Sequence, residues 1–200
     1  ESLGVPHPEI AAIQVNGQPA GLDQIAQSGE TVKVSPYEPG DPRVCPVPLC
    51  FVLDSHLGRL ASYLRILGFD VLYDSAAGDE TLATLSGKEN RVLLTRDRGL
   101  LKRSLVTYGY CIRDQNPRNQ LLEVFQRYDL RRDLRPFTRC PRCNGLIHPV
   151  DKAAVAGLLL ENTLAHVDQF WQCGNCGKVY WQGSHYERMQ NWLGALQILS

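Results

Sequence analysis

The chain has one methionine, five phenylalanines and no net charge, with 21 Lys and Arg set against 21 Asp and Glu in 200 residues. No apolar stretch approaches the ~20 residues that a membrane-spanning helix needs. No basic segment precedes the short first apolar stretch, so no secretory signal is expected. The first residue is Glu1 and not Met, so we expect a trimmed N-terminus. There is no Ser/His/Asp or Cys/His pattern of the kind that builds a side-chain nucleophile. Disorder is excluded by the 44% of hydrophobic residues. A chain of this length holds one or two domains and a sizeable core.

The balance of charge hides an asymmetry. Residues 1–50 carry two basic and six acidic side chains, about −4, whereas residues 96–142 carry twelve basic and five acidic, about +7. Most of those cations are Arg. A basic half suits a polyanion partner, although a solvated surface gives the same count.

Cysteine is plentiful, with seven residues, and four of them form two C-x-x-C pairs, Cys140/Cys143 and Cys173/Cys176. The 29 intervening residues, 144–172, give the spacing of two metal knuckles. Four thiolates in tetrahedral array suit a structural Zn²⁺ and leave no open position for catalysis. A redox C-x-x-C would need only one pair at a helix start. The odd count and the lack of a signal argue for a reducing compartment, the cytoplasm. Cys45 and Cys50 are candidates for a second ion but are expected as linker and core cysteines, and Cys111 as a core residue of a strand.

Along the chain, "IAAIQVNGQPA" and "SGETVKVSP" read as three strand pieces around an Asn16-Gly17 turn. Residues 37–48 are rich in Pro and Gly and read as a linker. From 49 to 128, strands and helices alternate. Strands fall at "LCFVL", "FDVLY", "RVLLT" and "TYGYCIR"; helices are expected over 56–68, 79–88, 98–105 and 117–128. This alternation predicts an α/β fold with a parallel sheet flanked by helices. The domains expected are 1–40, 49–130 and, with a basic connector, 131–190. A helix is expected at the chain end.

An acid follows each predicted strand: Asp54, Asp74, Asp97 and Asp114, with Asp79 at a helix start. Ligands of open parallel sheets bind at these strand ends. Crowded carboxylates repel, and Mg²⁺ or Mn²⁺ offsets the repulsion through oxygen ligands. Each acid also has a plainer reading. Asp54 and Asp79 suit helix N-caps, Asp74 suits a turn, and Asp97 can pair with Arg96 or Arg98. Thr95 can support Asp97 through its hydroxyl or merely suit a strand. Phe170, Trp171, Tyr180, Trp181 and Tyr186 can stack on bases or fill a small core. His148, His166 and His185 are ligand or phosphate candidates that four thiolates make unnecessary for zinc.

The runs "LDSHLGRLASYLRILGFD", "RVLLTRDRGLLKR", "NQLLEVF", "RCPRCNG" and "CGNCGKVYWQGSHYERM" together resemble the PIN-like ribonuclease family named after the C-terminal region of the mut-seven exonuclease. Residues 1–37, through "VNG" and "GETVKVSP", resemble the latter half of the ubiquitin-like β-grasp domain that often precedes it. The resemblance implies a PIN-like core followed by a zinc ribbon, and divalent-metal hydrolysis of RNA, tRNA included. It implies Asp54, Asp79 and Asp97 as catalytic Mg²⁺ or Mn²⁺ ligands, with Asp114 as a candidate fourth acid. Arg65, Arg96, Arg98 and Gln120 are implied as phosphate-binding or supporting groups; Arg65 can equally be a surface cation and Gln120 a helix-start residue. Cys140, Cys143, Cys173 and Cys176 are implied as zinc ligands. A metal-activated water would attack the phosphorus in line and leave a 5′-phosphate. The rival is a non-catalytic RNA-binding adaptor whose acids are caps. A phosphatase of the haloacid dehalogenase type wants an Asp-x-Asp pair, and the residue two past Asp54 is His56.

Overall fold

Parallel pairing of two all-buried runs sets the frame. In the computed structural model, which describes residues 4–195 apart from the His185 side chain, Phe51, Val52 and Leu53 pair with Val92, Leu93 and Leu94. A strand buried on both faces needs helices above and below it. The expected helical chain end is borne out as far as Ala195; beyond it, and at the His185 side chain, the expectations lie outside the described residues.

In chain order, strands β1 (Ile10–Val15), β2 (Gln18–Ala20) and β3 (Val32–Pro36) form an antiparallel sheet in the order β2-β1-β3. Then come β4 (Cys50–Leu53), α1 (Gly58–Ile66), β5 (Asp70–Tyr73), α2 (Asp79–Lys88), β6 (Val92–Thr95), α3 (Arg98–Leu101), β7 (Gly109–Cys111) and α4 (Pro117–Tyr128). These strands form a parallel sheet in the order β5-β4-β6-β7. Last come β8 (Ile147–Val150), α5 (Lys152–Val155), α6 (Glu161–His166), β9 (Phe170–Cys173), β10 (Val179–Trp181) and α7 (Ser184–Ala195). Their strands are antiparallel in the order β10-β9-β8. The chain divides into two compact units, residues 1–61 with 71–130, and residues 62–70 with 131–200.

In the first unit, Val52, Leu82, Ala83, Leu93, Leu100, Leu101 and Val106 make one buried cluster, which α2 and α3 close. Phe51, next to Val52 and so on the opposite face, meets the Tyr128 ring of α4 at 5.9 Å. Each fully buried leucine contributes about 2 kcal/mol. The edge strand β7 is covered by the turn ahead of β1. Glu9 accepts from the Cys111 backbone N–H at 2.8 Å and from Arg113 Nη2 at 3.1 Å, and His7 Nε2 donates to the Val106 carbonyl at 2.6 Å. The N-terminal strands therefore belong to the same unit as the sheet.

Two expected helices are shorter than the sequence suggests. Residues 55–57 form a 3₁₀ turn before α1. α3 ends at Leu101, where the Lys102 N–H turns back to the Gly99 carbonyl. No helix among the described residues is long and apolar enough to cross a membrane.

Candidate active site and metal centre

The sheet order fixes where a ligand can enter. From β4 the chain crosses to β5 on one side, then to β6 on the other. The crevice of such a sheet opens at the carboxyl ends of the two strands where the order reverses. Those strands are β4 and β6.

Asp54 directly follows β4, and Thr95 ends β6. The register Leu53↔Leu94 puts Asp54 level with Thr95, and the Asp54 N–H donates to the Leu94 carbonyl at 3.1 Å. The Thr95 hydroxyl donates to Asp54 Oδ2 at 2.8 Å and accepts from the Asp97 N–H at 2.9 Å. Thr95 is 0% exposed, so its hydroxyl has no water to fall back on. One buried hydroxyl thus links Asp54 to the backbone of Asp97. Asp54 occupies the N-cap position of the 3₁₀ turn, yet its carboxylate makes no capping bond; Oδ1 accepts from the Ser55 hydroxyl at 3.1 Å. The cap reading of Asp54 is therefore corrected.

The turn after Asp54 is held from β5. The Tyr73 hydroxyl donates to the Ser55 carbonyl at 2.8 Å. Gly58 makes this approach possible, because a Cβ there would lie 2.7 Å from the Tyr73 oxygen. The sequence reading missed Tyr73; the only local sign was a glycine inside a helical stripe.

The other acids have different duties. Asp97 caps α3 through Oδ1, which accepts from the Gly99 N–H at 2.6 Å, and it forms no ion pair with Arg96 or Arg98 among the described residues. Asp79 is exposed at the first position of α2, and Gly78 takes the cap position without a side-chain bond. Asp74 closes a turn by accepting from the Ala76 N–H at 2.9 Å. Asp114 accepts from the Asn116 N–H at 2.7 Å and from Asn119 Nδ2 at 3.0 Å. Those bonds hold its carboxyl below the usual range. Gln120, 4% exposed, donates to the Asp114 carbonyl at 3.1 Å and so steadies the loop after β7. Arg96 and Arg98 are exposed. Among the described residues, the carboxylates do not collect into a group of three within metal-sharing distance; only the four paired cysteines do.

In the second unit, Cys140, Cys143, Cys173 and Cys176 bring all four sulfurs within 4.8 Å of one another. The Cys143–Cys173 and Cys140–Cys176 separations are 3.4 and 3.7 Å. A tetrahedral ion with bonds of ~2.3 Å spaces its sulfurs about 3.8 Å apart, so the four residues fit a structural metal such as zinc. Burial pushes the Cys140 thiol up. Hydrogen bonds from Tyr180 and the Cys143 and Arg142 backbone outweigh it and hold the thiol at about 7. Cys143 is pushed up, by desolvation and by the neighbouring sulfurs. Crowded thiols cannot all ionise without a cation among them. The Tyr180 hydroxyl lies 2.9 Å from Cys140 Sγ.

Arg65 requires a correction. It is 5% exposed and donates through Nη1 to the Pro141 and Arg142 carbonyls at 3.3 and 3.1 Å. Its charge holds the first cysteine knuckle in shape and is not presented to a phosphate. Arg139 assists, donating to the Asn144 carbonyl at 3.0 Å and to Asp70 Oδ2 at 3.3 Å. Phe170, a stacking candidate, is 2% exposed and is core. His148 is exposed, and the His166 ring bonds the Asn162 carbonyl.

Residues 49–193 match the Mut7-C RNAse domain, and residues 1–40 match the Mut7-C ubiquitin domain. The chain belongs to the Mut7-C RNAse domain family. No curated protein and no solved structure matched it. Family membership points to a nuclease-like function, with RNA as substrate or partner.

Proposed function

We propose that the protein is a divalent-metal-dependent ribonuclease whose reaction centre lies at the ends of β4 and β6. The observation that carries this is the Thr95 hydroxyl, buried at the switch point, which links Asp54 to Asp97. Asp54 and Asp97 would hold Mg²⁺ or Mn²⁺, with Asp79 as the third acid. The donors fit such an ion: each oxygen of Asp54 accepts one hydrogen bond and keeps a lone pair, and Mg²⁺ commonly takes only one or two carboxylates beside water and phosphate. When bound, the ion supplies water activation and neutralises charge developing on a phosphodiester.

The chain's own residues perform the rest. Thr95 fixes the direction of the Asp54 carboxylate. Tyr73 and Ser55 hold the turn behind it. Exposed Arg96 and Arg98 flank Asp97 and attract the RNA backbone, as do exposed Arg131, Arg132, Arg135 and Arg142 in the second unit. Asp114 and Gln120 shape the loop after β7. The four cysteines would take zinc and act in folding only. Seven free cysteines suit a reducing compartment such as the cytoplasm.

A second reading keeps RNA binding and drops catalysis. It is favoured by the structural bonds of the acids, since Asp97 caps α3 and Asp114 closes the turn ahead of the Asn116 cap of α4. Asp97→Asn separates the two, because Asn caps nearly as well as Asp but is a poor Mg²⁺ ligand. We expect end-labelled single-stranded RNA and tRNA to be cut with Mg²⁺ or Mn²⁺, and the rate to fall about a hundredfold or more in Asp97→Asn. Cutting by neither protein defeats the nuclease assignment, and equal cutting by both removes Asp97 from the metal site.

A further inference from the structure

We propose that the second unit holds one unstacked base of single-stranded RNA in an aromatic cavity beside the cysteine cluster, apart from any cleavage chemistry. The cavity measures about 560 Å³ and is lined by Phe137, Trp171, Trp181 and Tyr186, with Arg139 and Lys178 at its wall. That volume lies within the ~300–1,000 Å³ of small-molecule pockets. Trp181 remains 37% exposed and presents its ring to the cavity lining. Its ring also meets that of buried Phe170 edge-on at 6.4 Å, which fixes its orientation.

Phe137 adds a separate observation. Its φ is +62°, a conformation that bulky residues avoid. Such strain persists where the surroundings impose it and gathers at ligand sites. The strained backbone sets its ring 4.4 Å from that of Tyr186, making an aromatic wall. Gln182 lines the same cavity and brings an amide for a base edge.

The chemistry selects the occupant. Aromatic faces accept any base, and each stacked base strengthens binding measurably. Lys178 is exposed and lies 5.7 Å from the Tyr180 ring centroid. Exposed Arg135 and Arg142, each next in sequence to a residue of the lining, add cationic side chains of the kind a polyphosphate backbone requires. A base paired in a duplex cannot enter, so the strand must be single. This inference rests on the RNA assignment above for the class of ligand only.

The test uses the full zinc-loaded chain without added Mg²⁺ or Mn²⁺. A fluorescein-labelled ten-residue oligouridylate is titrated beside an abasic ribose-phosphate chain of equal length. Trp181→Ala should weaken oligouridylate binding about tenfold, Trp181→Phe should restore most of it, and the abasic chain should not distinguish the three proteins. Lys178→Gln, on an exposed side chain, should lower the slope of log affinity against log salt by about 0.7. Abasic binding as tight as oligouridylate binding, or equal oligouridylate affinities for the wild type and Trp181→Ala, overturns the cavity. RNA cleavage with Mn²⁺ by a chain whose Trp181→Ala variant binds oligouridylate as the wild type does overturns the cavity and leaves the nuclease assignment standing. Base-dependent binding without cleavage supports the cavity and defeats that assignment.

Discussion

The cysteine cluster and the carboxylate set are built on opposite plans. Four sulfurs lie within 4.8 Å of one another. Asp54, Asp74, Asp97 and Asp114 follow successive strands, each held by its own bonds, and Asp79 is exposed at a helix start, without a comparable gathering among the described residues. A structural ion with four protein ligands needs its site nearly complete in the fold, because binding energy there is folding energy. A hard catalytic ion keeps water and meets its substrate, so its protein ligands can be few. In the nuclease proposed above, Thr95 would belong to the second plan, orienting an acid without closing the site.

The largest expected effect falls on the sulfur side. Chelation of the metal, or Cys173→Ser, should remove about 10 kcal/mol from the second unit and abolish its cooperative melting in calorimetry. The melting of the first unit should survive. A second unit that melts unchanged without metal would erase the distinction between the two sites.

Removing one hydroxyl tests the other side. Thr95→Val deletes the link between Asp54 and Asp97 with almost no change of shape. It should lower cleavage about 10- to 100-fold, the usual cost of losing a group that orients a metal ligand. The same change at Tyr128 should act in the opposite sense and least of all. The Tyr128 hydroxyl is buried without a partner among the described residues, and burial pushes its pKa upward. Tyr128→Phe should therefore leave cleavage intact and raise stability by about 1 kcal/mol in urea unfolding. If both variants behave alike, Thr95 has no special duty.

The sequence carries local features well and distant ones poorly. α2 and α4 begin and end where the pattern puts them, since Asp79 opens one and Asn116-Pro117 the other. The C-x-x-C spacing announced the sulfur cluster, and strand–helix alternation announced the parallel sheet. The register of β4 against β6 was not written in either strand. Arg65 looked like a surface or phosphate cation, because nothing local says that the Pro141 and Arg142 carbonyls need a donor. Glu9 was passed over for a similar reason: its partner Cys111 is 102 positions away. Asp54 was the harder case. Its position is that of a cap, and only the packed Thr95 shows that the carboxylate faces elsewhere.

Binding of Mn²⁺ to the zinc-loaded chain, followed by electron paramagnetic resonance, tests the central claim most directly. The account predicts saturable Mn²⁺ binding by the wild type that falls at least tenfold in Asp54→Asn, while the zinc content stays constant. Equal Mn²⁺ binding by the two proteins would show that Asp54 is no metal ligand and that the bond from Thr95 serves the fold alone.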